Sequence, residues 1–172
     1  DLTCFKAYDI RGEIGVNIDE DIAYRIGRAV AQHLGAKSVV IGFDARETSP
    51  AFAAAASQGA RDAGADVINI GMAGTEEMYW AVTELGACAG IEVTASHNPI
   101  NYNGMEIVKS HSRPLDDAGD FQVIKALAGS QEWLSGAAIG REFDRSSDAR
   151  KAYLDRVLTF AGVNALRPLK IV

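Results

Sequence analysis

Short apolar segments alternate with helix-like segments through the first half of the chain, and this alternation constrains the fold more than any other feature. The apolar runs of strand length are residues 39–41, 67–70 and 90–94. The segments with helical spacing or helix-end signals are residues 17–34, 49–64 and 75–86. Strands that alternate with helices form parallel sheets covered on both faces, with right-handed crossovers. The sequence therefore predicts an α/β fold of three layers, α/β/α.

Capping residues indicate where the first two helices begin and end. Asn17, with Glu20 three residues later, has the spacing of a capping pair, and Gly35 is a suitable stop. Ser49 is the expected N-cap of the second helix, because Pro50 suits the first helical turn.

The fourth strand is predicted to run against the others. Residues 105–109 are the next strand candidate, and no helical pattern separates them from the strand at 90–94. A parallel crossover needs about a dozen or more residues, usually helical. We therefore expect 105–109 to be antiparallel to its neighbour, at one edge of a mixed, mostly parallel sheet.

The last third of the chain has weaker patterns. Helical spacing returns at 116–127 and 149–160, and the polar stretch 141–148 separates the two. Residues 168–172 look like the start of a strand.

These ends suggest a longer protein. The chain opens on Asp1 rather than Met, and its final apolar residues have nothing after them to pack upon. We expect one domain over residues 1–165, with 166–172 as a linker and the start of a second domain.

Charge and cysteine content exclude several classes of protein. With 17 basic and 23 acidic residues the net charge is −6, and no basic block is present for nucleic acid or an anionic membrane. No apolar run approaches the roughly 18–20 residues of a membrane span. Cys4 and Cys88 have no CxxC partner, which argues against structural zinc or a disulfide framework. We expect a cytoplasmic protein with neither nucleic-acid nor membrane partners.

Three loops should reach the carboxyl edge of the sheet, where α/β proteins bind ligands. They are residues 42–49, 71–75 and 95–104. The third places Ser96, His97 and several amides directly after an apolar strand, where they could orient or neutralise a phosphate. The same segment also suits a simple turn, because Asn-Pro and Asn-Gly steps bend the chain. Spacing alone leaves both interpretations open.

A set of motifs extends over most of the chain. The motifs are TASHNP at 94–99 followed by YNG at 102–104, FKAYDIRG at 5–12, GFDAR at 42–46 and GMAGTEE at 71–77. In their order along the chain, these motifs resemble the α-D-phosphohexomutase family, most closely its bacterial phosphomannomutases, including the dual-specificity phosphomannomutase/phosphoglucomutases.

The resemblance implies a reversible phosphoryl shift between the 1- and 6-hydroxyls of a hexose phosphate. Ser96 would carry the phosphate and hold Mg²⁺ through it, and hexose 1,6-bisphosphate would be the intermediate and activator. Phosphoryl transfer depends mainly on positioning and on neutralising charge. The small-molecule partners would be hexose phosphates, while the oligomeric state stays open.

The resemblance also implies roles for four other residues of the site. His97 would be a proton carrier or electrostatic partner, and Arg11 would stabilise the transferring phosphoryl group. Tyr8 would line the mouth of the site. Asn98 would bind substrate together with Arg11 and Tyr8. Its alternative role is to hold the loop in place.

Other residues have simpler interpretations. Arg11 could instead pair with Asp9, and Asp44 with Arg46 could form a structural ion pair. His97 could be only a hydrogen-bond partner.

One position departs from the family. The lysine that usually follows the glycine of the serine loop by two residues is Glu106 here, which reverses the charge beside a phosphate. Lys109 is near in sequence, but residues 106 and 109 should point to opposite faces of a strand. The chain also has no aspartate-rich metal loop of the DGDGDR type, which the family carries in a further domain. This segment alone should therefore be inactive.

Three functions stay open. The leading one is the N-terminal domain of a phosphomannomutase-like enzyme. A phosphoglucomutase or phosphoglucosamine mutase of the same family is the second. A non-catalytic sugar-phosphate binding or regulatory module is the third, and Glu106 favours it.

Overall fold

The computed structural model describes residues 2–136, 138–162 and 167–170. The strands in this part are β1 (Ile10–Glu13), β2 (Ser38–Phe43), β3 (Asp66–Met72), β4 (Ala89–Val93), β5 (Tyr102–Lys109), β6 (Arg113–Pro114) and β7 (Glu142–Asp144). The helices are α1 (Glu20–His33), α2 (Ser49–Asp62), α3 (Thr75–Glu84), α4 (Gln122–Ser130) and α5 (Ser146–Leu158). No helix of these residues is long and apolar enough to cross a membrane.

The strands form one mixed sheet with helices on both faces. Its order is β1-β5-β4-β2-β3-β7, and β6 pairs with β5. The central strands β4, β2 and β3 are parallel, as is β7 at the edge. One apolar core lies between the sheet and α1, α2 and α4, and a second lies under α3 and α5. The three-layer α/β/α prediction is confirmed.

Both predicted N-caps are wrong by one or two residues. The N-cap of α1 is Asp19, whose carboxylate accepts from the N–H of Ile22 at 2.8 Å. Asn17 instead accepts from the backbone N–H of Glu13 at 2.7 Å. The N-cap of α2 is Thr48, and Ser49 is the first residue of the helix, with its hydroxyl donating to Asp44 at 2.6 Å.

Strand β5 is antiparallel to β4, as predicted, but it is not an edge strand. The sequence analysis missed β1, which covers the outer side of β5 with Arg11 opposite Gly104. A β-carbon on Gly104 would lie 1.9 Å from the carbonyl oxygen of Ile10, so only glycine allows this approach. The opening segment is thereby fixed beside the serine loop.

The polar stretch 141–148 is not only a connection. It contains β7, which pairs with β3 and extends the sheet by one strand. The helix predicted at 116–127 begins later, since a wider π-type turn over Asp117–Phe121 precedes α4. Residues 167–170 have no regular structure. The rest of the predicted strand and the expected domain boundary near 165 lie outside the described residues.

Helices α1 and α2 pack against each other through two glycines. A β-carbon on Gly27 of α1 would lie 2.1 Å from the carbonyl oxygen of Ala56 on α2. A β-carbon on Gly59 of α2 would lie 2.0 Å from the carbonyl oxygen of Tyr24 on α1. This close contact holds α2, and with it the β2–α2 loop, at the carboxyl edge of the sheet.

Candidate functional site

The three loops predicted to reach the carboxyl edge do meet there. Together they line a cavity of about 240 Å³. Asp44 comes from the loop after β2, Gly74 and Thr75 from the loop after β3, and Thr94 and Ser96 from the loop after β4. The parallel strands end side by side, so residues far apart in sequence share one cavity.

Ser96 is exposed in a left-handed backbone conformation, with φ of +53°. Its N–H donates to the hydroxyl of Thr94 at 2.9 Å. Its own Oγ lies 3.3 Å from Nδ1 of His97. Left-handed backbone is costly for a residue with a β-carbon and recurs at functional sites. The loop thus presents a hydroxyl and an imidazole together at the edge of the sheet.

Arg46 holds the loop of Ser96 in place through hydrogen bonds to its main chain. Its Nη2 donates to the carbonyl oxygens of Ser96 at 3.0 Å and Asn98 at 2.7 Å. Its Nη1 donates to those of Pro99 at 2.8 Å and Tyr102 at 3.1 Å. Four carbonyl groups of one loop therefore converge on a single guanidinium, whose side chain is only 12% exposed.

A polar network connects Arg46 to the sheet. Asp44 forms an ion pair with Arg46 at 3.3 Å and accepts from the Ser49 hydroxyl at 2.6 Å. The Asn103 side-chain amide donates to that hydroxyl at 3.0 Å and to Thr48 Oγ1 at 2.8 Å. The predicted Asp44–Arg46 ion pair is present, and it supports the serine loop.

Glu92 lies in the wall of the cavity with no counter-charge. The residue is fully buried, and neither carboxylate oxygen has a hydrogen-bond partner among the described residues. Burial, together with the negative charges of Asp44, Glu77 and Glu76, raises the pKa of Glu92 to about 9. The carboxyl group is therefore neutral at pH 7. It leans over Gly42, where a β-carbon would lie 2.4 Å from its Oε2.

Replacing Glu92 should change how stability depends on pH. The folded pKa is about 9 against an ordinary value of 4.5, so the folded chain keeps a proton that the unfolded chain has lost. Glu92 therefore makes stability fall with rising pH across this window, by at most about 1.4 kcal/mol per pH unit. In Glu92→Gln this contribution disappears. Urea unfolding of the chain at pH 5, 7 and 9 measures it.

The matched control is Glu84→Gln, which removes an exposed carboxylate from the end of α3. We expect this variant to follow the wild-type pH dependence. A Glu92→Gln variant that also follows it would mean that Glu92 is ionised in the folded chain.

Glu106 faces Glu92 across the β4–β5 pair and lines the same cavity. Burial raises its pKa, and the positive charge of Arg11 opposes the shift. Lys109 does not supply the missing cation, because its Nζ binds Asp120 at 2.5 Å and Asp116 at 3.3 Å instead. These separate contacts agree with the prediction that residues 106 and 109 point to opposite faces of the strand.

Arg11 and Tyr8 lie to one side of the serine cavity. Arg11 is nearly buried; it donates to the carbonyl oxygens of Ile10 at 2.8 Å and Met105 at 3.2 Å. It also pairs with Asp9 at 3.3 Å. Tyr8 is 91% exposed and lines a neighbouring cavity of about 460 Å³.

The positions of Glu106 and Asn98 bear on how a substrate could bind. Glu106 lines both cavities and so joins the side of Tyr8 to the side of Ser96. The amide of Asn98 donates to the carbonyl oxygen of Ala95 at 2.9 Å, which supports its alternative role in holding the loop.

The chain contributes little to a metal site by itself. Over residues 2–136, 138–162 and 167–170, no group of three or more His, Cys, Asp or Glu side chains could hold a metal ion. A phosphate on Ser96 would add the oxygen ligands that Mg²⁺ prefers. The residues therefore fit Mg²⁺ only through one ligand, the phosphate on Ser96. The other metal ligands would have to come from outside the described residues.

Sequence reasoning underestimated Arg46 and missed Glu92. Arg46 stands in the quoted GFDAR segment, but its four partners lie at least 50 positions away and are main-chain carbonyls. Glu92 has a visible signal, since it is a lone carboxylate inside the apolar run 90–94. An acidic residue in a buried strand without a cation beside it is rare enough to indicate a special position.

The fold and the site define a class of protein: a three-layer α/β/α domain that displays a strained serine loop at the carboxyl edge of its parallel strands. The family described as phosphoglucomutase/phosphomannomutase, alpha/beta/alpha domain I, matches residues 3–134. The chain belongs to this family.

Similar proteins and solved structures agree with this assignment. The chain is 48% identical to a phosphomannomutase of Salmonella typhimurium over 99% of its own length, and it spans 38% of that protein. It is 47% identical to a Klebsiella pneumoniae phosphomannomutase over 90% of its length and 98% of that sequence. A crystal structure of a phosphoglucomutase/phosphomannomutase family protein from Burkholderia thailandensis superposes with a TM-score of 0.79 at 31% identity, covering 92% of this chain and 36% of that one.

Proposed function

We propose that the full-length protein interconverts hexose 6-phosphates and hexose 1-phosphates through a phosphate carried on Ser96 and a bisphosphorylated sugar. The observation that carries the proposal is the placement of Ser96. Its Oγ is exposed at the edge where three loops converge, and it lies 3.3 Å from Nδ1 of His97. A substrate can therefore reach this hydroxyl without any movement of the strands.

The transfer requires proton movement at Ser96. As the phosphoryl group passes to a sugar hydroxyl, the bond from phosphorus to Oγ breaks and a bond to the sugar oxygen forms. His97 gives a proton to Oγ as it leaves, and takes it back when the other phosphate returns to Ser96. A base near the substrate accepts the proton of the attacking hydroxyl.

Arg11, Tyr8 and Asn98 take supporting roles. Arg11 supplies positive charge close to Glu106, although Asp9 partly neutralises it. Tyr8, exposed beside the larger cavity, contacts the sugar that enters from that side. Asn98 keeps the serine loop in place through its bond to Ala95.

Magnesium and a sugar bisphosphate complete the proposal. Mg²⁺, held in part by the phosphate on Ser96, would neutralise charge during transfer. Hexose 1,6-bisphosphate would restore the phosphate if Ser96 loses it. The remaining metal ligands and the sugar-binding loops would come from other parts of the full-length protein, which acts in the cytoplasm.

The test is phosphate stoichiometry together with turnover. Mass spectrometry of the purified full-length protein should find close to one phosphate per chain, on Ser96. Coupled assays with the 6-phosphates of mannose, glucose and glucosamine should then reveal turnover and rank the sugars. Absence of both phosphate and turnover after incubation with hexose 1,6-bisphosphate would contradict the proposal.

A non-catalytic sugar-phosphate binding module is the second candidate, and Glu106 favours it, because a carboxyl group stands where a lysine would assist charge handling during transfer. Glu76, Glu92 and Glu106 line the cavity beside Ser96. No ion pair is present at Glu92 or Glu106 in the described ranges. In that case the protein would bind hexose phosphates without phosphorylating Ser96.

The substitution Glu106→Lys should strengthen the binding of hexose phosphates. It replaces a negative charge by a positive one in the wall of a partly buried cavity, where charge interactions are poorly screened. We expect KM for the preferred hexose 6-phosphate to fall by about tenfold in the full-length protein. Steady-state kinetics or calorimetric titration measures the change.

Glu84→Lys is the matched control, because it makes the same change of charge at an exposed position of α3. It should leave KM within about twofold at physiological salt. A Glu106→Lys variant with weaker binding than wild type would mean that the carboxylate itself contacts the sugar.

A further inference from the structure

The four hydrogen bonds of Arg46 determine which way one peptide group of the loop faces. The peptide bond between Ser96 and His97 is trans, and in a planar trans peptide the C=O and the N–H point in opposite directions. The carbonyl oxygen of Ser96 points at Arg46. The N–H of His97 therefore points away from the guanidinium.

This N–H has no use within the loop. In the part of the chain that the structure describes, the next N–H, that of Asn98, donates to Ala95, but the N–H of His97 has no protein acceptor. His97 is exposed, so an external acceptor can approach. Hydrogen bonding of the Ser96 carbonyl to a cation also polarises the peptide and makes its N–H a stronger donor.

We propose that Arg46 is a positioning residue that turns the N–H of His97 outward as a hydrogen-bond donor for an oxyanion on Ser96. The inference rests on the proposed function for the identity of that oxyanion, a phosphoryl group. Arg46 acts through the loop, because its guanidinium is occupied by four carbonyl oxygens and Asp44. Donors fixed before the reaction stabilise developing charge most effectively.

Arg46→Lys is the informative substitution. A lysine keeps the charge, but its single ammonium cannot hold four carbonyls in the fork geometry of a guanidinium. The matched control is Arg61→Lys. Arg61 also holds a distant carbonyl, that of Gly140 at 3.0 Å, but it lies away from the serine loop.

The first readout is independent of turnover. The full-length protein is labelled with ¹⁵N-histidine and treated with a phosphatase until mass spectrometry finds no phosphate on Ser96. The His97 amide signal is then assigned by its loss in His97→Gln. Inorganic phosphate should move this signal downfield in wild type and in Arg61→Lys, with at least about tenfold weaker apparent affinity in Arg46→Lys. A wild-type signal that phosphate does not move would overturn the proposal, and this arm does not depend on the folding of any variant.

The second readout is kinetic. For Arg46→Lys, kcat should fall by about 100-fold or more while KM changes by less than about threefold, since misplacement costs the transition state more than the ground state. Wild-type kcat in this variant would also overturn the proposal. If the wild-type protein had no mutase activity, the proposed function would fail, and the phosphate titration would still decide the role of Arg46.

Discussion

Ser96→Ala should lower the mutase turnover of the full-length protein by at least about 10³-fold, with little change in stability. The substitution removes the oxygen that carries the phosphate, and no other hydroxyl replaces it at the same point of the loop. Thr94 is the nearest candidate, but its Oγ1 already accepts from the N–H of Ser96 and the residue is buried. Turnover is measured by a coupled assay, and phosphate incorporation by mass spectrometry.

The control for this prediction is Ser135→Ala, which removes an exposed hydroxyl far from the carboxyl edge. It should keep wild-type turnover. Thermal unfolding of both variants separates loss of chemistry from loss of structure. Turnover of Ser96→Ala within about tenfold of wild type would eliminate Ser96 as the phosphoryl carrier.

The sequence was sufficient for the layers of the fold and for the position of Ser96. Helices and buried strands leave strong local patterns, and the order of those patterns restricts the sheet to few arrangements. Ser96 follows directly from β4, so its place at the carboxyl edge depends only on that strand being parallel to β2. For the rest of the loop, and for Arg11 and Tyr8, only the resemblance of the motifs to a known family indicated a role in the site.

The missed strands lack such local patterns. β7 has only three residues, all exposed, and its strand conformation comes from pairing with β3. β1 has four residues and contains Arg11, a residue that rarely indicates a buried strand. In both, contacts distant in sequence override local preference.

The electrostatics of the site were hidden for a different reason. The contact of Arg46 with Ser96 spans 50 positions and uses main-chain oxygens, which every residue has, so no side-chain pattern marks it. The pKa of Glu92 is raised first by burial and then by the negative charges of Asp44, in the loop after β2, and of Glu77 and Glu76, in α3. Such properties belong to the assembled edge of the sheet and to no single segment.

The assembled edge depends in turn on how closely α1 and α2 pack, and Gly27→Ala should disrupt this contact. The new β-carbon would lie 2.1 Å from the carbonyl oxygen of Ala56, which belongs to the backbone and cannot turn aside. Overpacking against a rigid neighbour costs more than a helix gains from alanine, so we expect a loss of about 3 kcal/mol or more in the free energy of unfolding. Urea unfolding of the chain, with the slope checked for two-state behaviour, gives this value.

Gly129→Ala makes the same chemical change inside α4 and should have the opposite sign. Its nearest neighbour would be Cδ1 of Leu2 at 3.7 Å, an ordinary contact, so only helix propensity remains. We expect a gain of up to about 1 kcal/mol. Because propensity favours alanine at both positions, a difference in sign isolates the effect of packing. If Gly27→Ala proved as stable as Gly129→Ala, the two helices would have to be farther apart than the structure places them, and the β2–α2 loop that carries Arg46 would not be held by this contact.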